Sequence, residues 1–527
     1  MQFKVYRKNL SHSFLKKKPI VLILFLLLLP VYTFANNDKD VQKIDVQDAK
    51  TMIRRAEKLT RRGEFVEAEK ILRSALNLYP QNENVRLELA YVLLKQKQLR
   101  AAFDLAYEVA KANPKNSYAF AIIGTAYLSS GNFTEARVFL YNALKINKRE
   151  ALAWAGAGTL DFYENRILDG LENLAEAVYF DANEPDFIFT YAQVAARAEK
   201  YKEAAMAYEK FLQISPRTDQ ERRGRIEGLI RFLNFLGNRQ SLYNVDTQKK
   251  TVVPISLVND RPVINLKING KEQPLRFVLD TGSGMSVISK QTAEKLKLKP
   301  VAKGGLARAI GGDGKFQIVY GYVNKVEIGD VKVLNVPVYI REFHNNSENI
   351  DGYIGLALIS KFLTTIDYEN LTFTLVGKDL VEPRKVETEN LILPLRLTSS
   401  GFLSGEVTLE GVESSLNFIV DTGASISVIS DEVADKENIR QFIRAEKMKV
   451  IGAAGITEDV SAYLLPRVTF GKYSREKIKA VALDLDVINE ASGFHQAGIL
   501  GGNFLKNYRV TFDFQNSKVL FVPIAVR

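Results

Sequence analysis

The sequence predicts a multidomain α + β chain: an all-α helical solenoid followed by an all-β module of two matched lobes. Three observations carry this. Residues 49–217 repeat with a period of 34. From Thr251 onward that texture gives way to short alternating strands broken by glycine turns. The triplet Asp-Thr-Gly occurs twice, at Asp280-Thr281-Gly282 and Asp421-Thr422-Gly423, inside segments (FVLDTGSGMSVIS at 277–289, FIVDTGASISVIS at 418–430) identical at 8 of 13 positions. At 527 residues the chain exceeds one hydrophobic core and has room for about three domains.

Each 34-residue unit holds two amphipathic helical patterns. Ala68, Ala102, Ala136, Gly170 and Ala204 share one register, and Ala56, Ala90, Gly124, Gly158 and Ala192 share another. Small side chains at these places let paired helices approach closely. The pattern resembles the tetratricopeptide repeat family in five copies, although Lys148 and Ala182 stand where proline is usual. One unit cannot bury its own apolar face, so the stack needs a cap. Arg222–Leu236, apolar at helical spacing and ended by Gly237-Asn238, reads as that capping helix. The repeat region is thus expected over residues 49–240, with a concave groove for a partner protein or, alternatively, a rigid spacer.

The β region reads as two copies. Leu266, Ile268, Gly270, Asp280, Ile310 and Gly311 map onto Val407, Leu409, Gly411, Asp421, Ile451 and Gly452 with a shift of 141. Farther on, Ile354-Gly355, Thr365 and Asp367 map onto Leu500-Gly501, Thr511 and Asp513 with a shift of 146. Two lobes are therefore expected at 251–380 and 391–527, joined by the polar stretch 381–390. Asp367 and Asp513, each on a strand before an asparagine, read as turn devices.

A duplicated carboxylate on a duplicated scaffold has a specific chemical use. Two carboxyl groups a few ångströms apart cannot both ionise, so they share one proton over a range of pH and titrate as a pair. Such a pair can activate a water and protonate a carbonyl oxygen together. The apolar strands Phe277–Leu279 and Phe418–Val420 lead into the aspartates, Gly282 and Gly423 permit a tight loop, and Ser283 and Ala424 keep the approach unobstructed.

Apolar-apolar-Asp-Thr-Gly-Ser/Ala, a glycine-rich hairpin some 30 residues later and apolar-Gly near the lobe's end, all twice in order, resembles the retropepsin-like aspartic proteases. Both halves are fused in one chain, as in pepsin-type enzymes, and the resemblance covers residues 251–527. It implies a bilobal aspartic protease fold, an aspartic endopeptidase activity without cofactor, and Asp280 and Asp421 as the catalytic pair. It further implies interlocking Thr281 and Thr422, loop glycines Gly282 and Gly423, and flap tips at Ile310, Gly311, Gly312 and at Ile451, Gly452. A peptide or protein substrate would lie as an added strand. The same folds also allow a catalytically silent peptide-binding or scaffold protein.

Composition removes rivals. With no cysteine there is no thiol nucleophile, disulfide framework or thiolate metal site, and three scattered histidines form no zinc-protease motif. No metal is expected. The formal charge of +11 is spread along the chain and predicts no nucleic-acid partner. Gly314-Lys315 is followed by Phe316, so the Gly304–Gly314 cluster is not a phosphate loop. Residues 1–35, a basic stretch and then an apolar run from Pro19 to Ala35, read as a signal peptide or a membrane anchor. Either places the remainder outside the cytoplasm, periplasmic or secreted.

Overall fold

A computed structural model describes residues 38–216, 220–239, 241–344, 347–381 and 391–524. The leader at 1–35 and nearly all of the linker at 381–390 lie outside the described residues. Among the described residues, no helix is long and apolar enough to cross a membrane.

Five antiparallel helix pairs and a final helix form the N-terminal array: α1 (Asp38–Arg61), α2 (Phe65–Leu78), α3 (Glu83–Lys95), α4 (Leu99–Ala112), α5 (Ser117–Ser129), α6 (Phe133–Ile146), α7 (Ala151–Tyr163), α8 (Ile167–Phe180), α9 (Pro185–Arg197), α10 (Tyr201–Ile214) and α11 (Gln220–Gly237). Local chemistry sets several starts. The side chains of Asn82 and Asn116 accept from the N–H groups of Val85 and Ala119, and Pro185 takes the first helical turn of α9. The small residues of the period sit where helices touch. Ala68, Ala102, Ala136 and Ala204 are fully buried, and a Cβ on Gly158 would come 2.8 Å from the Gly170 carbonyl oxygen. Lys95 of α3 pairs with Glu184 at 2.6 Å and Asp186 at 2.7 Å, tying the second unit to the fifth.

The β module contains three sheets among the described residues: nine strands in the first lobe, eight in the second and six between them. In each lobe the strand leading to Asp-Thr-Gly is central. Leu275–Leu279 runs parallel to Gly352–Ile354, and Leu416–Val420 runs parallel to Gly498–Leu500. These strands are apolar on both faces because both faces are covered. In the six-stranded sheet, Leu363–Asp367 of the first lobe pairs antiparallel with Tyr508–Asp513 of the second. Thr365 faces Thr511 there, their hydroxyls 2.9 Å apart, so the pseudo-twofold relation passes between equivalent residues. Asp367 accepts from the N–H groups of Glu369 and Asn370, and Asp513 accepts from that of Asn516, which closes equivalent turns.

The helical array is built onto the β module. One hydrophobic cluster runs through both lobes and takes in Phe232 and Leu236 of α11. Phe494 of the second lobe inserts into the repeat core, its ring 5.0 Å from both Phe133 and Tyr163. The His495 N–H donates to the Ser129 carbonyl at 3.0 Å, and the Asn165 amide donates to the Phe514 carbonyl at 2.9 Å.

Candidate active site

The two Asp-Thr-Gly loops meet at the lobe interface. The hydroxyl of Thr281 donates to the Val420 carbonyl and that of Thr422 donates to the Leu279 carbonyl, both at 2.6 Å. Each hydroxyl also accepts the backbone N–H of the opposite threonine, at 3.0 and 3.2 Å. Both side chains are fully buried, so the four bonds lock the loops in a low-dielectric setting.

The loop glycines bring the carboxyls together. The Gly282 N–H donates to Asp280 Oδ1 at 2.9 Å, and the Gly423 N–H donates to Asp421 Oδ1 at 2.7 Å. A Cβ on Gly282 would overlap the Asp421 carboxyl, and one on Gly423 would lie 2.6 Å from Asp280 Oδ1. No side chain fits at either place. Behind the loops, Ile354 and Leu500 accept the N–H groups of Asp280 and Asp421 at 3.0 and 2.9 Å. The N–H groups of Gly355 and Gly501 are held by the hydroxyls of Ser286 and Ser427. Ser283 donates to the Met285 carbonyl, while Ala424 and Ser283 give their own carbonyls to the N–H groups of Gly502 and Leu356.

The Asp280 carboxyl lies against Gly423 and the Asp421 carboxyl against Gly282, which sets the two groups side by side. Burial pushes both carboxyls above the usual range. For Asp280 the negative charge of Asp421 raises the value further, while Arg341 and the Gly282 N–H pull it back in part. For Asp421, backbone N–H donors offset part of the burial. The pair therefore holds one proton more readily than two isolated aspartates would.

The flap tips close over this pair. The first hairpin joins strands Ala302–Arg308 and Lys315–Ile328, and the second joins Ile443–Gly452 and Gly455–Phe470. The Ala454 N–H donates to the Ile310 carbonyl at 3.0 Å, and the Gly312 N–H donates to the Ile456 carbonyl at 3.2 Å. Gly311 and Gly312 have φ of 102° and 55°, and a Cβ on Gly452 would overlap the Ile310 carbonyl oxygen. Ile310, Gly311, Gly312, Ile451 and Gly452 thus all lie at the tips, with Ile456, just past the second tip, as the partner that sequence reading passed over.

Beneath the flaps lies a cavity of about 1490 Å³ lined by both aspartates, both flaps and side chains of α8, α9 and α11. It is larger than an ordinary small-molecule pocket of about 300–1,000 Å³. The contribution of the helical array to this wall carries no sequence signal, because it comes from one residue here and there on helices whose periodicity reports only their own packing. No group of three or more metal-ligating side chains occurs among the described residues.

Residues 264–358 and 405–504 match the aspartyl protease family model, and residues 59–122 match a tetratricopeptide repeat model. No curated protein matches the chain. Similar solved structures include an aspartic proteinase from Irpex lacteus, 14% identical, covering 53% of this chain and 98% of its own with a TM-score of 0.38. Another is a thermophilic tetratricopeptide repeat protein from Thermus thermophilus, 19% identical, covering 34% of this chain and 98% of its own with a TM-score of 0.30. The chain therefore joins a tetratricopeptide repeat array to two retropepsin-like aspartyl protease segments, each with its own Asp-Thr-Gly loop.

Proposed function

We propose that the protein is an aspartic endopeptidase whose catalytic pair is Asp280 and Asp421. The observation that carries this reading is the meeting of two half-buried carboxyls, each set against the opposite loop glycine, in the lining of a peptide-sized cavity. The ionised member takes a proton from water as that water attacks the scissile carbonyl. The protonated member donates to the carbonyl oxygen, and the resulting diol collapses with a proton passed to the leaving amine. The helical array docks the substrate or a partner protein, and the enzyme works outside the cytoplasm, periplasmic or secreted, released from or anchored by residues 19–35.

Incubation of the protein with a mixed peptide library between acid and neutral pH tests this, beside Asp280→Asn and Asp421→Asn. Cleavage that vanishes in either variant supports it. Equal cleavage by all three proteins removes the aspartates from the mechanism, and tight peptide binding without turnover assigns the fold to a silent peptide-binding protein. A hydroxyl-bearing mimic of the tetrahedral intermediate should bind far more tightly than substrate.

A further inference from the structure

The cleft contains two arginines whose guanidinium groups form no ion pair, although the charge of Asp280 reaches Arg341 and that of Glu199 reaches Arg197. Arg341 ends the strand Val331–Arg341 in the first lobe, and Arg197 ends α9 of the helical array; both line the cavity that holds the aspartates. The cavity's other cations are neutralised, apart from the exposed Lys378. Arg261 pairs with Glu348, Lys361 with Glu199, and Arg308 with Glu490 at 3.4 Å. Arg166 pairs with Asp161, and Lys449 with Glu458 at 2.9 Å. Neither the Arg341 nor the Arg197 side chain forms an ion pair or a hydrogen bond among the described residues.

Arg341 is held instead by π faces. Its guanidinium lies 5.7 Å from the ring of Phe316, on the first flap hairpin, and 5.5 Å from that of Phe343. Its Nε is buried and has no acceptor. The neighbouring Glu342 is exposed and forms no ion pair with it. Arg197 lies beside Gly401 of the second lobe, within 3.5 Å of a Cβ built there, and Gly401 in turn abuts Gly284 of the first active loop. Burial lowers the pKa of both arginines. A desolvated cation without a hydrogen-bonded anion is costly, and a ligand anion would supply one. An arginine fork matches a carboxylate in particular.

We propose that the cleft selects peptides by a carboxylate, with Arg341 and Arg197 as the residues that receive it. The helical array thereby supplies part of the substrate site. This inference rests on the peptidase reading and names its substrate class. The carboxylate belongs to an acidic side chain or to a free chain end, and both are distinguishable.

The test uses the full chain and three peptide series of one parent sequence: Glu scanned through an amidated peptide, the same with Gln, and the Gln series with a free C-terminus. The readout is kcat/KM for wild type, Arg341→Met, Arg341→Lys and Arg197→Met, with Kd measured on Asp421→Asn. A charged hydrogen bond predicts a Glu-to-Gln ratio of roughly tenfold or more in at least one register. That ratio should fall about fivefold or more in each Met variant, and Arg341→Lys, which keeps the charge without the fork, should fall between. Preference for the free terminus instead assigns the carboxylate to the chain end. Ratios near one in every series, or ratios that survive both Met substitutions, overturn the proposal. If wild type cleaves nothing while Asp421→Asn still prefers the Glu peptide, the peptidase reading fails and the carboxylate site stands.

Discussion

The N–H of Ala454 meets the carbonyl of Ile310 across the top of the cavity, 3.0 Å apart, so the flaps of the two lobes are bonded to each other at their tips. On the proposed peptidase reading, a substrate parts this contact to enter and then shelters beneath it. Gly452→Ala places a methyl against the Ile310 carbonyl oxygen, and Gly311→Ala adds strain at a φ of 102°. Either should cut kcat/KM by about tenfold to a hundredfold, the scale of a small misplacement in an active site, with little change in the unfolding midpoint. Unchanged kinetics in both variants would show that tip closure does not matter.

The flaps are not equally free. Arg225 and Arg231 of α11 donate to the carbonyls of Leu306 and Lys303 at 3.1 and 3.0 Å, Glu221 pairs with Lys315 at 2.7 Å, and Phe232 stacks on Tyr320 at 4.3 Å. Gly228 is packed so closely on Gly304 that a Cβ would not fit. All of these grip the first hairpin, whereas the strand Ile443–Gly452 of the second is largely exposed. Amide hydrogen exchange should therefore be slower in the first hairpin than in the second. The double variant Arg225→Ala, Arg231→Ala should narrow the difference, and equal exchange in the parent chain would remove the clamp.

The threonine lock separates stability from chemistry. Thr281→Val keeps the shape but leaves the Thr422 N–H without its acceptor and the Val420 carbonyl without its donor. Each buried unsatisfied group costs about 1–3 kcal/mol, so urea unfolding should shift to a lower midpoint. Thr422→Val should behave alike, and the double variant should cost less than the sum because both act on one contact between the loops, which the first substitution already loosens. Strict additivity would mean that the loops are not coupled.

The parts of the site that duplication touches are legible in the chain, and the parts built by contact between unlike surfaces are not. The shift of 141 carries Asp280 onto Asp421 and Thr281 onto Thr422, because equivalent loops meet across a pseudo-twofold relation. The period of 34 gives the helix pairs because small residues must recur where helices touch. Phe494 between Phe133 and Tyr163, the grip of α11 on the first hairpin, and Arg197 in the cleft leave no such trace. Each joins residues far apart in sequence through a single insertion that no period repeats. Read from its own helical spacing, α11 is a cap for the array, and nothing in that spacing tells that it also holds a flap.

The raised carboxyls make the active site a stability liability whose sign with pH is fixed. Both folded pKa values lie above that of an unfolded aspartate, about 3.9, chiefly through burial, and Asp280 lies well above it. The folded chain thus binds more protons than the unfolded chain in the window above that value. Stability from this pair is fully present below about pH 4 and is lost as pH rises through the folded values. Asp421→Asn removes one of the two charges and the repulsion with it. It should raise the unfolding free energy obtained from urea titration at pH 7 by about 1–3 kcal/mol while giving little gain at pH 4, and it should abolish cleavage. In the active enzyme, Arg341→Met should move the basic limb of the kcat/KM profile upward, because that arginine lowers the Asp280 pKa. A stability difference between parent and variant that does not grow with pH would show that the carboxyls are not held in the protonated state by the fold.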